Sequence, residues 1–290
     1  MLCELCVTAF AKVNFGLNVL PLQKDSAFHN IESIFQTVDL YDRLLVSKQD
    51  EVMCSVHCDS MELPEENTLT LAFKAFCDVT GKKDFGVSVE LKKGIPSGGG
   101  LGGGSSDGAA LIKALEKLYN LKLSESQLSA IASKVGSDVF FFTYCDENGK
   151  GCALVSGRGE VVKNIQGRKD LYLLLVFPKT SSSTKLAYSL IDKMYERGES
   201  LKAPSFDSYE SIYNQNPENW TFVNTFTPVI SSEYEEIEQA LISVRKTGAL
   251  YSEVSGSGST VYGIFTSEQQ AETAKSLLAD KWSCKVCRTL

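Results

Sequence analysis

The sequence predicts an α+β protein of two domains, and three observations lead to that fold class. Strand-like and helix-like segments mix along the chain without the regular alternation that builds a parallel sheet. The carboxyl-terminal third repeats strand, helix and strand, and its helices follow Ser232-x-x-Glu235 and Thr266-x-x-Gln269, which have the form of capping boxes. The chain has 290 residues, 43% of them hydrophobic, which is enough for two modest cores.

Hydrophobic periodicity places the individual elements. Alternating apolar and polar side chains predict strands, and apolar side chains three or four residues apart predict helices. The predicted strands are 6–19, 87–91, 171–177, 253–265 and 283–288. The predicted helices run through 69–76, through 110–121, from Ser124 to Gly136, over 185–194, over 232–246, and from 266 onward. Residues 209–220 are predicted to form an irregular loop.

The most informative segment is the glycine run 98–104, which joins a predicted strand to a predicted helix. Six of its seven residues are glycine, so the backbone can adopt positive φ and a ligand can approach the amides closely. The following helix presents unpaired N–H groups and the positive end of its dipole to an anion. A flexible linker is the alternative, but the flanking strand and helix favour a phosphate-binding loop.

Two common nucleotide loops do not fit the pattern. A Walker A loop needs a lysine after its last glycine, whereas Gly104 is followed by Ser105. A dinucleotide fold needs an acidic residue at a strand end about 20 residues further on, whereas Glu125 lies at a predicted helix start.

Lys12 and Asp138 are candidate catalytic residues for phosphoryl transfer. Transfer to an alcohol needs positive charge on the phosphates and a group that accepts the hydroxyl proton. Asp138 follows the helix ending at Gly136, so we expect it in the turn beyond that helix, among apolar neighbours that suit a base. Lys12 would keep Asp138 ionised and steady the phosphoryl group. A structural ion pair is the alternative.

Several motifs in order along the chain resemble those of the GHMP small-molecule kinases. The segment from Pro96 to Ser106 is similar to their second motif, and Ala11-Lys12-Val13-Asn14 is similar to their opening motif. Gly136-Ser137-Asp138-Val139 resembles their Gly-Ala-Asp-Val. Two further glycine-containing turns, 156–160 and 255–259, also match. The resemblance covers nearly the whole chain.

This resemblance implies a fold and an activity. The fold is the two-domain GHMP kinase fold, with a domain like ribosomal protein S5 domain 2 at residues 1–167 and a ferredoxin-like domain at residues 168–290. ATP and its acceptor would bind in the cleft between them. The extra glycines are typical of the members that phosphorylate the 2-hydroxyl of cytidine diphosphate-linked methylerythritol in the non-mevalonate isoprenoid pathway. The alternatives are another GHMP kinase, such as homoserine or mevalonate kinase, and a non-catalytic ligand sensor.

The resemblance also implies a nucleotide site that takes ATP with Mg²⁺. Asn67 and Lys93 would border the adenine, although Asn67 is equally suited to cap a helix. The phosphate-binding residues would be Pro96, Gly98, Gly99, Gly100, Leu101, Gly102, Gly103, Gly104, Ser105 and Ser106. Ser105 and Ser106 are alternatively caps of the helix that follows. No carboxylate is identified as a metal ligand by spacing, so the protein is expected to hold the ion largely through ATP and water.

The acceptor site departs from the family in one segment. Asp25-Ser26-Ala27-Phe28-His29 replaces the family's Asp-Gly-Tyr-His with one additional residue. Phe28 would stack on the base, and the main chain of His29 would read its edge. Tyr188 is the candidate for the second aromatic wall, with a core tyrosine as the alternative. Asn14 and the hydroxyl-rich segment 180–184 would bind the diphosphate and the sugar alcohol, or that segment would form a loop and helix cap.

Other features limit the remaining classes of function. Segment 222–227 lacks the acidic residues common in the family, so we assign it no catalytic role. The net charge of −7 argues against nucleic acid as a partner. Nine cysteines in strand-like or scattered positions are expected to be reduced thiols and not zinc ligands. Without an apolar stretch of about 20 residues or a signal peptide, the chain is expected in the cytoplasm, away from membranes, as a monomer or weak homodimer.

Overall fold

The computed structural model describes residues 3–23 and 28–290 of the chain. The expectations for Asp25, Ser26 and Ala27 therefore lie outside the described residues. Within the described ranges, no helix is both long and apolar enough to cross a membrane.

The first half of the chain builds a six-stranded sheet around one long central strand. The strands are β1 (Glu4–Val19), β2 (Ile31–Gln49), β3 (Cys54–Cys58), β4 (Gly86–Lys92), β5 (Cys152–Gly157) and β6 (Val161–Asn164). β2 pairs with β1 along one edge, and with β5 and then β4 along the other edge. These pairs are antiparallel, whereas β3 runs parallel to β4.

Four helices accompany this sheet, namely α1 (Thr68–Thr80), α2 (Gly103–Leu118), α3 (Glu125–Val135) and α4 (Ser137–Tyr144). α2 packs against β1 and β2, and the other three pack around it. The predicted start of α3 is confirmed, because Ser124 and Gln127 form a reciprocal capping box. α4 was not expected: Gly136 ends α3 in an extended conformation and α4 begins at the next residue. Asp138 therefore lies in the first turn of a helix and not in a turn beyond one.

The second half contains a four-stranded antiparallel sheet. Its strands are β7 (Tyr172–Phe177), β8 (Tyr251–Val254), β9 (Val261–Phe265) and β10 (Ser283–Arg288), in the order β10-β7-β9-β8. Its helices are α5 (Thr184–Glu196), α6 (Tyr209–Tyr213), α7 (Phe226–Glu233), α8 (Glu235–Arg245) and α9 (Glu268–Leu278). This strand order is that of a ferredoxin-like βαββαβ unit, and together the two sheets confirm the α+β class.

The two halves share a core because both faces of β1 are buried. Alternate residues of a strand point to opposite faces, and the register of β1 against β2 shifts between Phe10 and Lys12 and again between Phe15 and Leu17. Ala9, Leu17 and Val19 belong to the core cluster that includes the helices of the first half. Ala11, Val13 and Phe15 pack against an aromatic cluster of the second half, which includes Tyr209, Tyr213, Trp220 and Tyr262.

Four local predictions in the second half are wrong. The predicted strand 253–265 is two strands separated by a glycine-containing turn, and the predicted loop 209–220 contains α6 and a 3₁₀ turn, Pro217–Asn219. Ser232 does not cap a helix, because α7 extends to Glu233 and α8 begins two residues later. The start of α9 is capped by Ser267, one residue after the predicted Thr266, since the Ser267 hydroxyl accepts from the Gln270 amide.

Candidate active site

The glycine loop directs its carbonyl oxygens into the protein. The Leu101 carbonyl accepts from the Lys12 amide at 2.9 Å, and the Gly99 carbonyl accepts from the Thr260 amide at 3.2 Å. The Gly100 carbonyl accepts from the Ser255 hydroxyl at 3.0 Å. These bonds leave the loop amides as the groups available to an anion on the other side.

Positive φ and close backbone contact explain why glycines occupy this loop. The φ angles of Gly98, Gly100 and Gly102 are +71°, +75° and +71°, a region that other L residues rarely adopt. A Cβ on Gly100 would lie 2.0 Å from the Ser255 carbonyl oxygen. The loop and the late glycine turn, defined as residues 255–260, are therefore in direct backbone contact.

Helix α2 starts earlier than a serine cap would allow. It begins at Gly103 with Gly102 as its N-cap, and no side chain of the described chain caps it. Ser105 and Ser106 lie inside the helix, so the alternative that they cap it is wrong. The amides of the first turn therefore remain available for phosphate.

A cavity of about 470 Å³ lies over the glycine loop. The predicted nucleotide residues on its wall are Asn67, Lys93, Pro96, Gly98, Gly99, Gly100, Leu101, Gly102, Gly103, Gly104 and Ser105. Ser106 is buried on the other side of α2, where it faces the amino-terminal half of β1. Met61, Leu63 and Pro64 add an apolar wall that the sequence analysis missed. Such a wall suits a planar base, while the loop suits its phosphates.

Asn67 has the capping role that was its alternative. Its Oδ1 accepts from the amides of Leu69 at 3.0 Å and Thr70 at 3.2 Å, and the Thr70 hydroxyl accepts from the Asn67 amide. Its contact with adenine stays a prediction.

Lys93 belongs to a buried charge cluster at the base of the loop. Its ammonium lies between the carboxylates of Asp42 and Asp107, 3.0 Å from the latter. Asp42 also accepts from the amides of Gly94 and Ile95, at 2.6 and 2.8 Å, which fixes the chain just before the loop. Although burial disfavours the ammonium, the charges of Asp107 and Asp42 raise the pKa of Lys93.

Asp107 is a buried member of this cluster that adjoins the cavity over the glycine loop. Its Oδ1 is buried without a hydrogen-bond partner among the described residues, and its side chain lines the cavity. Burial raises the pKa of Asp107 to about 8, against the opposing influence of the Lys93 charge. Neither Asp42 nor Asp107 was predicted, because the glycine pattern carries no signal for them.

The structure brings Lys12 and Asp138 together. Lys12 Nζ lies 3.3 Å from Asp138 Oδ2 and donates to Asn14 Oδ1 at 2.7 Å. The Asn14 amide in turn donates to the Ser33 hydroxyl at 3.2 Å. The Lys12 side chain is 4% exposed and that of Asp138 is 31% exposed. The carboxylate is therefore the member of the pair that an acceptor can reach, and its place in the first turn of α4 favours negative charge.

A second cavity, of about 180 Å³, adjoins this pair. The predicted residues on its wall are Lys12, Asn14, Asp138 and Tyr188. Gly100 and Gly102 line both this cavity and the larger one, so the two meet at the glycine loop. That arrangement allows a hydroxyl in the small cavity to face a terminal phosphate in the large one, as in-line transfer requires.

Of the aromatic candidates, Tyr188 lines the small cavity. The His29 ring stacks on Tyr188, with centroids 5.4 Å apart, and Tyr188 meets Phe226 edge-on at 5.0 Å. Burial, with the Asp138 charge, raises the pKa of Tyr188 to about 12, so its phenol is neutral. Phe28 is 55% exposed, and the Arg158 guanidinium lies 3.9 Å from its ring centroid. The stacking roles of Phe28 and Tyr188 stay predictions.

Some residues of the hydroxyl-rich segment 180–184 stabilise the fold, and one lines the small cavity. Ser183 caps α5 through the Leu186 amide, and Thr180 binds Glu236 of α8. Thr184 lines the small cavity and hydrogen-bonds to Ser257 at 2.9 Å.

Segment 222–227 closes the outer edge of β1. Val223 and Thr225 exchange main-chain hydrogen bonds with Leu17, at 2.8 and 2.9 Å. Asn224 donates to the carbonyls of Val254 and Gly256, both at 2.8 Å, and so ties this segment to the late glycine turn. The segment therefore has a structural role that its lack of acidic residues did not reveal.

Comparison with known proteins identifies the class of fold and site. Residues 67–146 match the family model for the GHMP kinases N terminal domain, and residues 199–284 match that for the GHMP kinases C terminal. A solved homoserine kinase from Cytophaga hutchinsonii shares the fold with a TM-score of 0.70 at 19% identity, over 100% of this chain and 95% of that chain.

Several relatives with higher sequence identity to this chain are all the same kind of kinase. A 4-diphosphocytidyl-2-C-methyl-D-erythritol kinase from Thermodesulfovibrio yellowstonii is 36% identical over 97% of this chain and 96% of its own. One from Caldanaerobacter subterraneus is 38% identical over 90% of this chain and 88% of its own. The crystal structure of a 4-(cytidine 5'-diphospho)-2C-methyl-D-erythritol kinase matches with a TM-score of 0.76 at 25% identity, over 98% and 99% of the two chains. The chain belongs to the 4-diphosphocytidyl-2-C-methyl-D-erythritol kinase family of GHMP kinases.

Proposed function

We propose that this chain transfers the γ-phosphoryl group of ATP to the 2-hydroxyl of 4-diphosphocytidyl-2-C-methyl-D-erythritol, a step in isoprenoid precursor synthesis. The observation that carries this proposal is the meeting of two cavities at the glycine loop, with Lys12 and Asp138 on the acceptor side. The relatives of the family support the choice of acceptor.

The proposed chemistry divides between the loop and the ion pair. The loop amides and the first turn of α2 hold the phosphates of ATP. The loop carbonyl oxygens point into the protein and therefore do not repel the phosphates. Asp138 accepts the proton of the acceptor hydroxyl, whose oxygen then bonds to the γ-phosphorus as the bond to the ADP oxygen breaks. Lys12 stabilises the negative charge on the transferring group and, at 3.3 Å, orients the Asp138 carboxylate.

Magnesium fits this site as an ion that enters with ATP. No group of three or more His, Cys, Asp or Glu side chains is arranged to hold a metal in the part of the chain described. Mg²⁺ commonly keeps several waters and binds substrate phosphates, so a full protein cage is not required. Ser105, in the first turn of α2 and on the cavity wall, offers a hydroxyl for it. When bound, the ion neutralises phosphate charge.

The acceptor side favours a cytidylyl compound over a smaller alcohol. Tyr188 lines the small cavity and the His29 ring stacks on Tyr188, and a base requires such aromatic faces whereas homoserine or mevalonate does not. A non-catalytic sensor would not need the Lys12–Asp138 pair.

Release of ADP in the presence of Mg-ATP tests the proposal. The purified chain is offered 4-diphosphocytidyl-2-C-methyl-D-erythritol, homoserine and mevalonate in separate reactions. We expect turnover with the cytidylyl compound and none above background with the others. Turnover with homoserine or mevalonate instead would overturn the acceptor assignment, and no turnover with any would favour the sensor.

A further inference from the structure

His29 is held by three groups from two other elements. Its Nδ1 lies 2.7 Å from the carbonyl oxygen of Leu20, just past the end of β1. Its Nε2 lies 3.0 Å from Asp192 Oδ1, and its ring stacks on Tyr188, both on α5. The His29 side chain is 6% exposed, whereas that of Asp192 is 39% exposed. A buried ring is therefore held between the first domain and a helix of the second.

Both partners of the ring nitrogens are hydrogen-bond acceptors. A carbonyl oxygen and an ionised carboxylate cannot donate, and a neutral imidazole has one N–H. Both hydrogen bonds therefore form together when the ring is an imidazolium that donates from Nδ1 and from Nε2. In this form the Asp192 carboxylate accepts a charge-assisted hydrogen bond from Nε2.

The His29–Asp192 pair adjoins residues that are predicted to bind the acceptor. Phe28 precedes His29, and Tyr188 lies on the wall of the small cavity. The sequence separation between His29 and Asp192 is 163 residues, so their contact fixes the entrance of β2 relative to α5. Groups held in place before binding lose less freedom when the ligand arrives.

We propose that Asp192 is a positioning residue that, through the His29 imidazolium, fixes the Phe28–His29 segment against Tyr188 for binding of the cytidine diphosphate part of the acceptor. This inference rests on the proposed function. Asp192 acts on acceptor affinity and has no part in the transfer step, because its contact is to His29 and not to the Lys12–Asp138 pair.

Nuclear magnetic resonance tests the charge state directly, because the chain has two histidines. His57, on β3, is 76% exposed in its side chain, so the variant His57→Gln leaves His29 as the one histidine signal. In that variant we expect both ring nitrogens to donate hydrogen bonds and to show an N–H signal each. Addition of Asp192→Asn should shift the Nε2–H signal, because its charged acceptor is removed. A neutral ring in the His57→Gln chain, or no change on adding Asp192→Asn, would overturn the inference.

Binding and kinetics test the positioning role. Asp192→Asn should weaken binding of cytidine 5'-diphosphate and raise the KM for the acceptor, each about tenfold, as expected for loss of one charge-assisted hydrogen bond. The kcat and the KM for ATP should stay within about twofold. Because His29 and Asp192 act as one unit, the double variant with His29→Gln should be no worse than the poorer single variant. Glu196→Gln, at an exposed position on the same helix, is the matched control and should change neither the affinity for cytidine 5'-diphosphate nor the KM for the acceptor.

Two outcomes separate this inference from the proposed function. A wild-type chain that binds cytidine 5'-diphosphate but does not phosphorylate the cytidylyl acceptor overturns the proposed function, and the effect of Asp192→Asn on that binding still decides the inference. Unchanged binding and KM in a folded Asp192→Asn variant would reduce the pair to a structural contact and overturn the inference.

Discussion

Replacing Asp138 by asparagine separates a catalytic base from a structural ion pair. Asparagine has nearly the same shape but cannot take the hydroxyl proton. The loss of charge leaves Lys12 with a partner, because its ammonium still donates to Asn14 Oδ1 at 2.7 Å. The Lys12 side chain is 4% exposed, so the substitution leaves a buried ammonium without its carboxylate partner and should lower stability. The hydrogen bond to Asn14 is expected to keep the variant folded.

The expected loss is in kcat. A positioned base contributes a factor of about 10²–10⁴, which corresponds to roughly 3–5 kcal/mol of transition-state stabilisation. We expect kcat to fall by that factor while the KM values for ATP and for the acceptor change by about threefold or less, since neither is bound through the proton. Steady-state ADP release gives these constants, and thermal unfolding verifies the fold.

The control for this experiment is Glu147→Gln, an exposed acid shortly after α4 that should leave kcat unchanged. If Asp138→Asn kept kcat within about threefold of the wild-type value, the base assignment would be wrong, because even a weak base supplies more than that. The contact at 3.3 Å would then be a structural ion pair, the alternative that the sequence left open.

Three further predictions concern the glycine loop, Phe28 and Asp107. Gly100→Ala should lower the free energy of unfolding by about 2–5 kcal/mol in a urea titration, because φ is positive there and the added Cβ would clash with a carbonyl oxygen. Gly81→Ala is the control, since its φ is also positive but its Cβ would meet open space, and it should lower the free energy of unfolding by about 1–2 kcal/mol. Equal losses in the two variants would contradict the clash at Gly100. Phe28→Ala should raise the KM for the cytidylyl acceptor about tenfold without changing that for ATP, whereas Phe28→Tyr should keep both; unchanged values in Phe28→Ala would rule out stacking. Asp107 has a pKa raised by burial to about 8, so its contribution to stability is full at acid pH and is lost as pH rises through about 8. In urea titrations between about pH 5 and 9, Asp107→Asn should reduce the fall in the free energy of unfolding with rising pH. An unchanged dependence of stability on pH would argue against this role of Asp107.

Local signals in the sequence explain what could be predicted. The reciprocal Ser124 and Gln127 box and the apolar spacing after it are contained within a single helix, and the structure has that helix where predicted. The glycine run between strand and helix is equally local. The early start of α2 was missed because positive φ at Gly102 starts the helix without a side-chain cap. α4 was missed because a single glycine, Gly136, separates it from α3.

Contacts between distant parts of the chain explain what could not be predicted. Asp42 lies 51 residues before Lys93, and no spacing rule connects the two. The same holds for His29 and Asp192. Capping boxes at Ser232 and Thr266 had the right letters, but the packing of α7 and the extended Ser267 set the true helix starts. The predicted boundary between residues 167 and 168 stays a prediction.

The glycine loop shows how local freedom and distant contacts combine. Its glycines permit many backbone conformations and do not choose among them. The choice comes from Lys12 on β1 and from Ser255 and Thr260 of the late glycine turn, which bind the loop carbonyls. Because these partners come from both halves of the chain, the loop amides that we propose bind the phosphates are aligned when the two domains are packed together. Lys12 and Asp138 both belong to the first domain, and Lys12 links the loop to the proposed base, because its amide binds the Leu101 carbonyl while its ammonium lies 3.3 Å from Asp138.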